Sequence, residues 1–421
     1  MLPRRPEVVR ERVYHDPLHG AIRLETAEPA EALAIALIDT EPFQRLRRIR
    51  QLGPAFLTFH GAESSRFTHS LGVLELARKA LHQLERHHPE LAAQRGVLYA
   101  AALLHDLGHA PLSHTGEEMF GLKHEVWSAR LIREHPALRA LLEAFAPGCS
   151  DSVARLLTGQ GDGSPAIQAL VSSQLDCDRL DYLLRDSYST GTTYGRLDLE
   201  RILAALTLAP DGGLAIHPKG LMAVEHYLVV RNLMYRTVYN HRLNVVCNWL
   251  LRQAIARARA LGPSRVWADP VMARWLWEPN DLDLQTYLAN DDIRTGYHLQ
   301  RWLESGPPDL ADPCGRLLER RLLKATAVSH LTSARRLELL AEARRLAEAQ
   351  GFCAEVSCGL QQRQSRGYHA YKGGLRLWDG ERLEALEQRS TLVQSLAAPV
   401  EWAWLIHPAE VAPKLRQLIS A

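Results

Sequence analysis

The chain contains 421 residues, of which 46% are hydrophobic and 23% are charged, and these proportions exclude a mainly disordered protein. Its formal net charge of +2 does not indicate a partner such as polymeric nucleic acid, whereas a small anionic substrate is compatible with it. We expect a cytoplasmic protein without a membrane partner, because no apolar run approaches the roughly 18 residues of a membrane span and no apolar stretch follows the basic N-terminus.

Helical periodicity dominates the chain from about residue 31 to about residue 347. Apolar residues there recur at helical spacing, and short Gly/Pro breaks separate the periodic stretches. The segment 97–109, VLYAAALLHDLGH, is apolar nearly all the way round, which predicts a buried helix ended by Pro111. We therefore expect residues 1–330 to form a helical domain.

The C-terminal part, from about residue 331, has a different pattern of apolar residues. Ser333 suits the N-cap of an amphipathic helix that runs to Gly351 at the C′ position. Short strands are predicted at 352–358, 374–378 and 400–406, with a helix at 381–388 between the second and the third. The predicted fold class is mainly α, with a helical body at 1–330 and a small α+β subdomain at 331–421.

The pair His105-Asp106 lies at the end of the predicted buried helix. An unpaired buried charge there costs several kcal/mol unless a metal ion or an ion pair compensates it. His69 upstream and the carboxylates of segment 176–181 could complete a set of two imidazoles and two carboxylates. Such a set suits a divalent ion such as Fe, Mn, Zn, Co or Ni. The alternative is a capping Asp beside a hydrogen-bonded core His.

Five motifs occur in a fixed order: RFTHSLGV at 66–73, HDLGHAPLSH at 105–114, KHE at 123–125, LDCDRLDYLLRD at 175–186 and RNLMYRTVYNH at 231–241. Together with HDPLHGAIRL at 15–24 and IDTEPFQRLRRIRQLG at 38–53, they resemble the HD-domain deoxynucleoside triphosphate triphosphohydrolases of the SAM-and-HD-domain type and their bacterial relatives. The likeness covers most of the first 250 residues. It implies a metal-dependent phosphohydrolase that releases a deoxynucleoside and triphosphate from a nucleoside triphosphate.

The resemblance also implies roles for individual residues. The metal would be held by His69, His105, Asp106 and Asp178, with Mg²⁺ as a further candidate ion that arrives with the nucleotide. Asp176 and Asp181 compete for the last ligand position, although caps or ion pairs with Arg179 or Arg185 suit them better. The implied catalytic residues are His109 and His124, which face the phosphates, His114 as general acid for the leaving 5′ oxygen, and Glu117, which orients His114.

The resemblance also assigns substrate contacts. Arg66, Arg179 and Arg231 match residues that hold phosphates, and Gln51, Leu52, Asp186 and Tyr239 match residues that recognise the sugar and crowd a 2′ hydroxyl. Tyr182, four residues after Asp178 on a predicted helix, would share a face with it. Leu52 and Tyr239 could alternatively be plain core residues.

A regulatory nucleotide site is the last implication of the resemblance. Asp39, Gln44 and Arg47 match residues that hold a nucleotide activator in relatives, and a homo-oligomer, dimer or tetramer, is expected. The segment 43–52 is also an amphipathic helix pattern whose charges could form a solvated face. Two functional alternatives stay open: an HD phosphohydrolase for another nucleotide or phosphoester, and a nucleotide-sensing module with weak catalysis.

Overall fold

The computed structural model describes residues 11–161, 163–369 and 374–420. Helices dominate these residues, so the mainly α fold class is confirmed. The α-helices, in chain order, are α1 Pro29–Ile38, α2 Glu41–Arg45, α3 Arg66–Glu85, α4 Arg95–Leu104, α5 His114–Phe120, α6 His124–Glu134, α7 Pro136–Phe145, α8 Cys149–Leu157, α9 Pro165–Val171, α10 Cys177–Thr190, α11 Leu199–Ala204, α12 Leu221–Met234, α13 Arg242–Leu261, α14 Pro270–Trp277, α15 Leu284–Leu288, α16 Asp292–Ser305, α17 Pro308–Leu318, α18 Ser333–Glu348, α19 Ala354–Ser357, α20 Leu386–Arg389, α21 Thr391–Leu396 and α22 Ala412–Ser420. No helix in these ranges combines the length and the apolar character needed to cross a bilayer.

Three small sheets accompany the helices. The strands are β1 Glu11–Asp16, β2 Gly20–Glu25, β3 Leu206–Leu208, β4 Leu214–Ile216, β5 Lys324–Ala327, β6 Gly359–Ser365, β7 Arg376–Trp378, β8 Leu383–Ala385 and β9 Val400–His407. β1 and β2 form an antiparallel hairpin, the second sheet has the order β3-β4-β7-β8, and the third has the order β5-β9-β6. Strand pairing crosses residue 330 in both larger sheets, and the division into domains at 330/331 stays a prediction.

Two of the C-terminal predictions differ from the structure. The predicted strand at 352–358 is wrong, because residues 354–357 form α19 and the strand begins at Gly359, where a Cβ atom would lie 2.3 Å from the Trp249 ring. The predicted helix at 381–388 is wrong in its first half, because β8 pairs with β7 across a turn at Asp379 and Gly380. Strands were found at β7 and β9 as predicted, and Thr332 rather than Ser333 caps α18.

The helix that carries the His105-Asp106 pair is shorter than predicted. α4 ends at Leu104, well before Pro111, and the chain continues as a buried turn. The Ser128 hydroxyl replaces helical hydrogen bonds there, since it donates to His105 O and accepts from Gly108 N at 2.8 Å. Similarly, the helical pattern at 43–52 ends as α2 at Arg45 and becomes a 3-10 turn at 46–48.

Three helices bring the histidines and carboxylates of the motifs to one place. α3 packs against both α4 and α10, and Gly72 permits the close approach, since a Cβ atom there would lie 1.9 Å from Asp181 Oδ1. His69 lies in the first turn of α3, the pair His105-Asp106 follows α4, and Asp178 lies in the first turn of α10. An apolar core surrounds this junction, and a second core forms around α13–α17.

Candidate active site

Four side-chain atoms that can donate a lone pair to a metal ion lie close together where α3, α4 and α10 converge. The His69 Nε2 and His105 Nε2 atoms are 3.2 Å apart, and Asp178 Oδ1 lies 3.1 Å from the first and 3.7 Å from the second. Asp106 Oδ2 lies 3.5 Å from His69 Nε2. Ligand atoms of His69, His105 and Asp106 all lie within 4.8 Å of one another.

The hydrogen bonds behind these atoms show that the set fits a metal ion. His69 Nδ1 lies 2.7 Å from Asp181 Oδ2, and His105 Nδ1 lies 2.9 Å from Ala102 O. Both partners accept hydrogen bonds, so each neutral ring carries its proton on Nδ1 and presents the Nε2 lone pair. In that neutral form two ring lone pairs and two carboxylates face one another, an arrangement that a divalent cation in place of the Nε2 proton stabilises.

The electrostatics of the cluster agree with this interpretation. Burial lowers the pKa of His69, but Asp178 and Asp181 raise it more, to about 10. Burial likewise acts to raise the pKa of Asp106, yet Arg66, whose Nη1 lies 2.5 Å from Asp106 Oδ2, and His105 hold it well below its usual range. The carboxylates thus attract positive charge at the position where the ring nitrogens converge.

The neighbouring carboxylates of segment 176–181 have other partners, as their spacing suggested. Asp176 caps α10 by accepting from Arg179 N at 2.8 Å. Asp181 is fully buried and binds the Arg185 guanidinium with both oxygens, while its Oδ1 lies 2.6 Å from His19 Nε2. Asp181 therefore supports His69 from behind, and Asp178 faces the same side as the two Nε2 atoms.

A second histidine cluster adjoins the first. His109 and His124 stack with ring centroids 4.0 Å apart, and His114 meets both rings edge to face. Glu117 contacts His124 Nδ1 and lies 3.1 Å from His114 Nδ1, and these partners hold the pKa of Glu117 below its usual range in spite of burial. Burial is the main cause that lowers the pKa of His109, and the positive charge of Arg66 lowers it further, so this ring is neutral.

A cavity of about 560 Å³ opens above both clusters, within the range of small-molecule sites. Side chains named from the sequence line much of it: Gln51, Leu52, Arg66, His105, Asp106, His114, His124, Asp178, Arg179, Tyr182, Asp186 and Tyr239. His69, His109 and Glu117 lie behind this lining, in contact with it. Arg231 does not belong to this lining; it is buried and donates to Gln174 Oε1 at 2.8 Å.

Several buried polar atoms around the cavity have no hydrogen-bond partner in the structure. They are Gln51 Oε1, Tyr182 OH, Asp186 Oδ1, Asn244 Oδ1 and both ring nitrogens of His109, although His109 Nε2 lies 3.1 Å from Asp106 Oδ1. Buried polar atoms are normally satisfied, and an exception costs about 1–3 kcal/mol. These atoms are available for hydrogen bonds with water or with a polar ligand.

One end of the cavity is shaped by a π-helical turn, Tyr235–Tyr239, that follows α12. Single π turns inside helices often occur at functional sites. Tyr239 OH donates to Asp186 Oδ2 at 2.8 Å, and its ring lies edge-on to Tyr182 at 6.0 Å. Burial raises the pKa of Asp186 to about 7. Arg179 belongs to the same wall, with its Nε donating to Ser173 O at 2.7 Å.

The residues assigned to a regulatory nucleotide lie outside this cavity lining. Asp39 pairs with Arg12, at 2.5 Å from Oδ2 to Nη1, and Gln44 Oε1 accepts from Arg47 Nε at 2.8 Å. The Arg47 guanidinium also lies 3.5 Å from the centre of the Phe67 ring. Their role as an activator site stays a prediction.

Among the cavity residues that sequence reasoning missed are Asn248 and Arg363, which come from distant parts of the chain. Asn248 on α13 accepts from Thr115 Oγ1 at 2.8 Å, and Arg363 on β6 pairs with Glu118 at 2.6 Å. These pairs are 133 and 245 residues apart in sequence. Neither residue belongs to a motif, so no local signal could have selected it.

Comparisons with known proteins agree with the geometry. The HD domain model matches residues 66–185, and the HD associated region model matches residues 197–406. The chain is 38% identical over 317 residues to protein YwfO of Bacillus subtilis, with 75% of this chain and 71% of the relative aligned. It is 28% identical over 286 residues to the human deoxynucleoside triphosphate triphosphohydrolase SAMHD1, with 59% of this chain and 44% of that protein aligned.

A solved structure is similar over nearly the whole chain. A phosphohydrolase from Bacteroides thetaiotaomicron superimposes with a TM-score of 0.82 and 25% sequence identity, and the match covers 94% of this chain and all of that one. The HD model spans α3 to α10, the helices whose junction gathers the two histidines and two carboxylates. With sequence, fold and donor set in agreement, this chain belongs to the HD-domain phosphohydrolase family.

Proposed function

We propose that this protein is a metal-dependent deoxynucleoside triphosphate triphosphohydrolase. Water would attack the α-phosphorus, the bond from that phosphorus to the 5′ oxygen would break, and the 5′ oxygen would take a proton. The products are a deoxynucleoside and intact triphosphate. The similarity to SAMHD1 supports this substrate, and the alternative within the family is another nucleotide or phosphoester.

The observation that carries the proposal is the position of the four donor atoms beneath a cavity whose lining includes Arg66 and Arg179. His69, His105, Asp106 and Asp178 would hold the ion. When bound, a divalent ion supplies Lewis-acid activation of water and neutralises charge on the phosphate. Fe, Mn, Zn, Co and Ni suit this mixed imidazole and carboxylate set, and Mg²⁺ suits the phosphates.

Phosphate oxygens would be bound by side chains that ring the donor cluster. Arg66 and Arg179 reach the cavity and carry positive charge for the triphosphate. His109 offers a neutral ring whose Nε2 lies beside Asp106, and His124 is held by Glu117. Arg231 would act through Gln174 unless it turns toward the substrate.

In this proposal His114 would give a proton to the leaving oxygen. Its side chain is 68% exposed, it belongs to the cavity lining, and Glu117 Oε2 lies 3.1 Å from Nδ1. The carboxylate would accept from Nδ1–H, which leaves Nε2–H as the transferable proton. The sugar would lie toward Leu52, Tyr239 and Asp186, with Gln51 and Tyr182 supplying further polar contacts.

The direct test is product analysis with metal-defined protein and each dNTP and NTP in turn. We expect deoxynucleoside and intact triphosphate in equal amounts, and oxygen from labelled water in the triphosphate. Asp106→Ala, purified identically, is the control for contaminating phosphatases. Release of orthophosphate or of a nucleoside monophosphate would overturn the triphosphohydrolase proposal and favour another phosphohydrolase, and absence of any turnover would favour a nucleotide sensor.

Regulation by a guanine nucleotide, with assembly into a dimer or tetramer, is a separate part of the proposal. Asp39, Gln44 and Arg47 would have to exchange their present partners for the nucleotide. Turnover of a non-guanine dNTP is measured with and without GTP, and sedimentation is recorded in parallel. We expect GTP to raise both activity and mass, and Asp39→Ala to abolish the response. Full basal activity without a change in mass would refute the activator role.

A further inference from the structure

The turn that carries the His105-Asp106 motif is held by a segment nearly two hundred residues later in sequence. This segment, 287–292, joins α15 to α16 and makes direct hydrogen bonds to the turn. Tyr287 OH donates to Gly108 O at 2.5 Å, and Asp292 Oδ1 accepts from Leu112 N at 2.7 Å. The buried Arg45 guanidinium bridges the two segments, since it donates to Asn290 O and to His109 O.

Asp292 holds two chain segments at once. Its Oδ2 accepts from Arg50 N at 2.9 Å, while its Oδ1 accepts from Leu112 N. The side chain is only 4% exposed, and burial raises its pKa to about 6, so it is ionised at neutral pH. A carboxylate offers two acceptor oxygens for these two amides, whereas an Asn side chain offers one oxygen and an NH2 group.

The backbone at the point of contact is strained. Leu112 and Ser113 have φ values of +63° and +58°, a region that non-glycine residues seldom occupy. Such conformations persist only where surrounding contacts enforce them. The amide of Leu112 is held by Asp292, and the Ser113 hydroxyl donates to Arg50 O at 2.5 Å, so Asp292 and the chain it anchors enforce both residues.

This strained turn sets the position of two groups in the site. Ser113 Oγ accepts from Arg66 Nε at 2.9 Å, and Arg66 in turn pairs with Asp106. His114 follows Ser113 directly and begins α5. A shift of the turn would therefore move the Arg66 guanidinium and the His114 ring together, without removing a metal ligand.

We propose that Asp292 is a positioning residue that fixes the turn at Leu112 and Ser113, and thereby the placement of the Arg66 guanidinium and, above all, of His114 for proton transfer to the leaving group. The placement of His114 as the proton donor rests on the proposed function, whereas the ordering of the turn does not. The region that matches the HD associated model would thus shape the site in the HD domain through this contact.

The test compares Asp292→Asn with Asp291→Asn. Asp291 is the adjacent N-cap of α16 and accepts from Ile293 N and Arg294 N. Its other oxygen pairs with Arg48, and among the described residues it has no hydrogen bond to the turn. Both variants weaken the start of α16, but only Asp292→Asn removes an acceptor from Leu112 or Arg50. Metal content, hydrogen exchange of peptides covering 108–114, and kcat and KM are measured for both.

We expect Asp292→Asn to keep its metal, to exchange faster across 108–114, and to lose roughly 10- to 100-fold in kcat. The loss should be much smaller with a p-nitrophenyl phosphodiester, whose leaving group needs no proton. Asp291→Asn should show neither effect. Equal exchange and equal kcat in the two variants, or an equal loss with both kinds of leaving group, would overturn the proposal.

A second variant keeps the test decisive if Asp292→Asn does not fold. Ser113→Ala leaves the Asp292 hydrogen bonds in place and removes only the hydroxyl between Arg50 O and Arg66. It should reproduce the leaving-group dependence of the kcat loss, and a wild-type kcat would overturn the proposal. If wild-type protein hydrolyses no dNTP, the proposed function fails, while the exchange comparison still decides whether Asp292 orders the turn.

Discussion

Asp181 lies at the centre of the buried network behind His69, and replacing it with Asn should weaken metal binding and folding to different extents. Its oxygens lie 2.7 Å from His69 Nδ1 and 2.6 Å from His19 Nε2, and both oxygens accept from Arg185. Burial acts to raise the pKa of Asp181, but Arg185, His19 and His69 hold it well below its usual range. The residue is therefore ionised throughout the working pH range.

Two magnitudes follow from this geometry. Loss of a hydrogen-bonding partner behind a metal-bound histidine lowers metal affinity about 10- to 100-fold, which corresponds to about 1.4–2.8 kcal/mol. Removal of one partner from a buried ion pair costs about 3–5 kcal/mol of folding free energy. Arg185, only 3% exposed, would retain Asp16 alone, with its Nη1 2.8 Å from Asp16 Oδ2.

Asp16→Asn is the matched control, because it weakens the same Arg185 network without a contact to His69. Metal affinity is measured by competition with a chelator, and unfolding of the metal-free proteins is followed in denaturant. We expect both variants to lose folding free energy and only Asp181→Asn to lose metal affinity. Wild-type metal affinity in Asp181→Asn, or equal losses in both variants, would refute the orienting role of Asp181.

Further predictions concern the metal, the proton donor, the sugar and pH. His105→Ala and Asp106→Ala should lose metal and turnover together, and unchanged metal content in elemental analysis of both would contradict the ligand assignment. His114→Ala should keep metal and substrate but lose roughly 100-fold or more in kcat, whereas near-normal turnover of the natural substrate would refute its role as acid. Under the proposed function deoxynucleotides should be preferred, because Leu52 and Tyr239 would crowd a 2′ hydroxyl; equal kcat/KM for dGTP and GTP would reject this. The raised pKa of Asp186, about 7, means that the folded metal-free protein keeps a proton that the unfolded chain releases near pH 4. Folding free energy should therefore fall by about 1 kcal/mol per pH unit from pH 4 to 7 relative to Asp186→Asn, and identical pH slopes in denaturant unfolding would contradict this.

Local pattern was sufficient for the fold class and the family. Helical spacing of apolar residues predicts most of the helices, because a helix with one buried face has apolar residues at every third or fourth position. The ordered motifs around His69, His105 and Asp178 predict the family that the comparisons confirm. The ligand and substrate roles remain predictions, although the structure brings most of those side chains to one cavity.

Tertiary contacts decided what the pattern could not. α4 ends at Leu104 because Ser128 satisfies backbone groups of the following turn, and β8 replaces a predicted helix because it pairs with β7. Asp292 contacts Leu112 across 180 residues of sequence, and Arg363 contacts Glu118 across 245 residues. The sequence by itself determined the helical body and the family, because periodicity and motifs are local, whereas the ends of the elements and the supports of the site depend on hydrogen bonds that only the folded chain brings together.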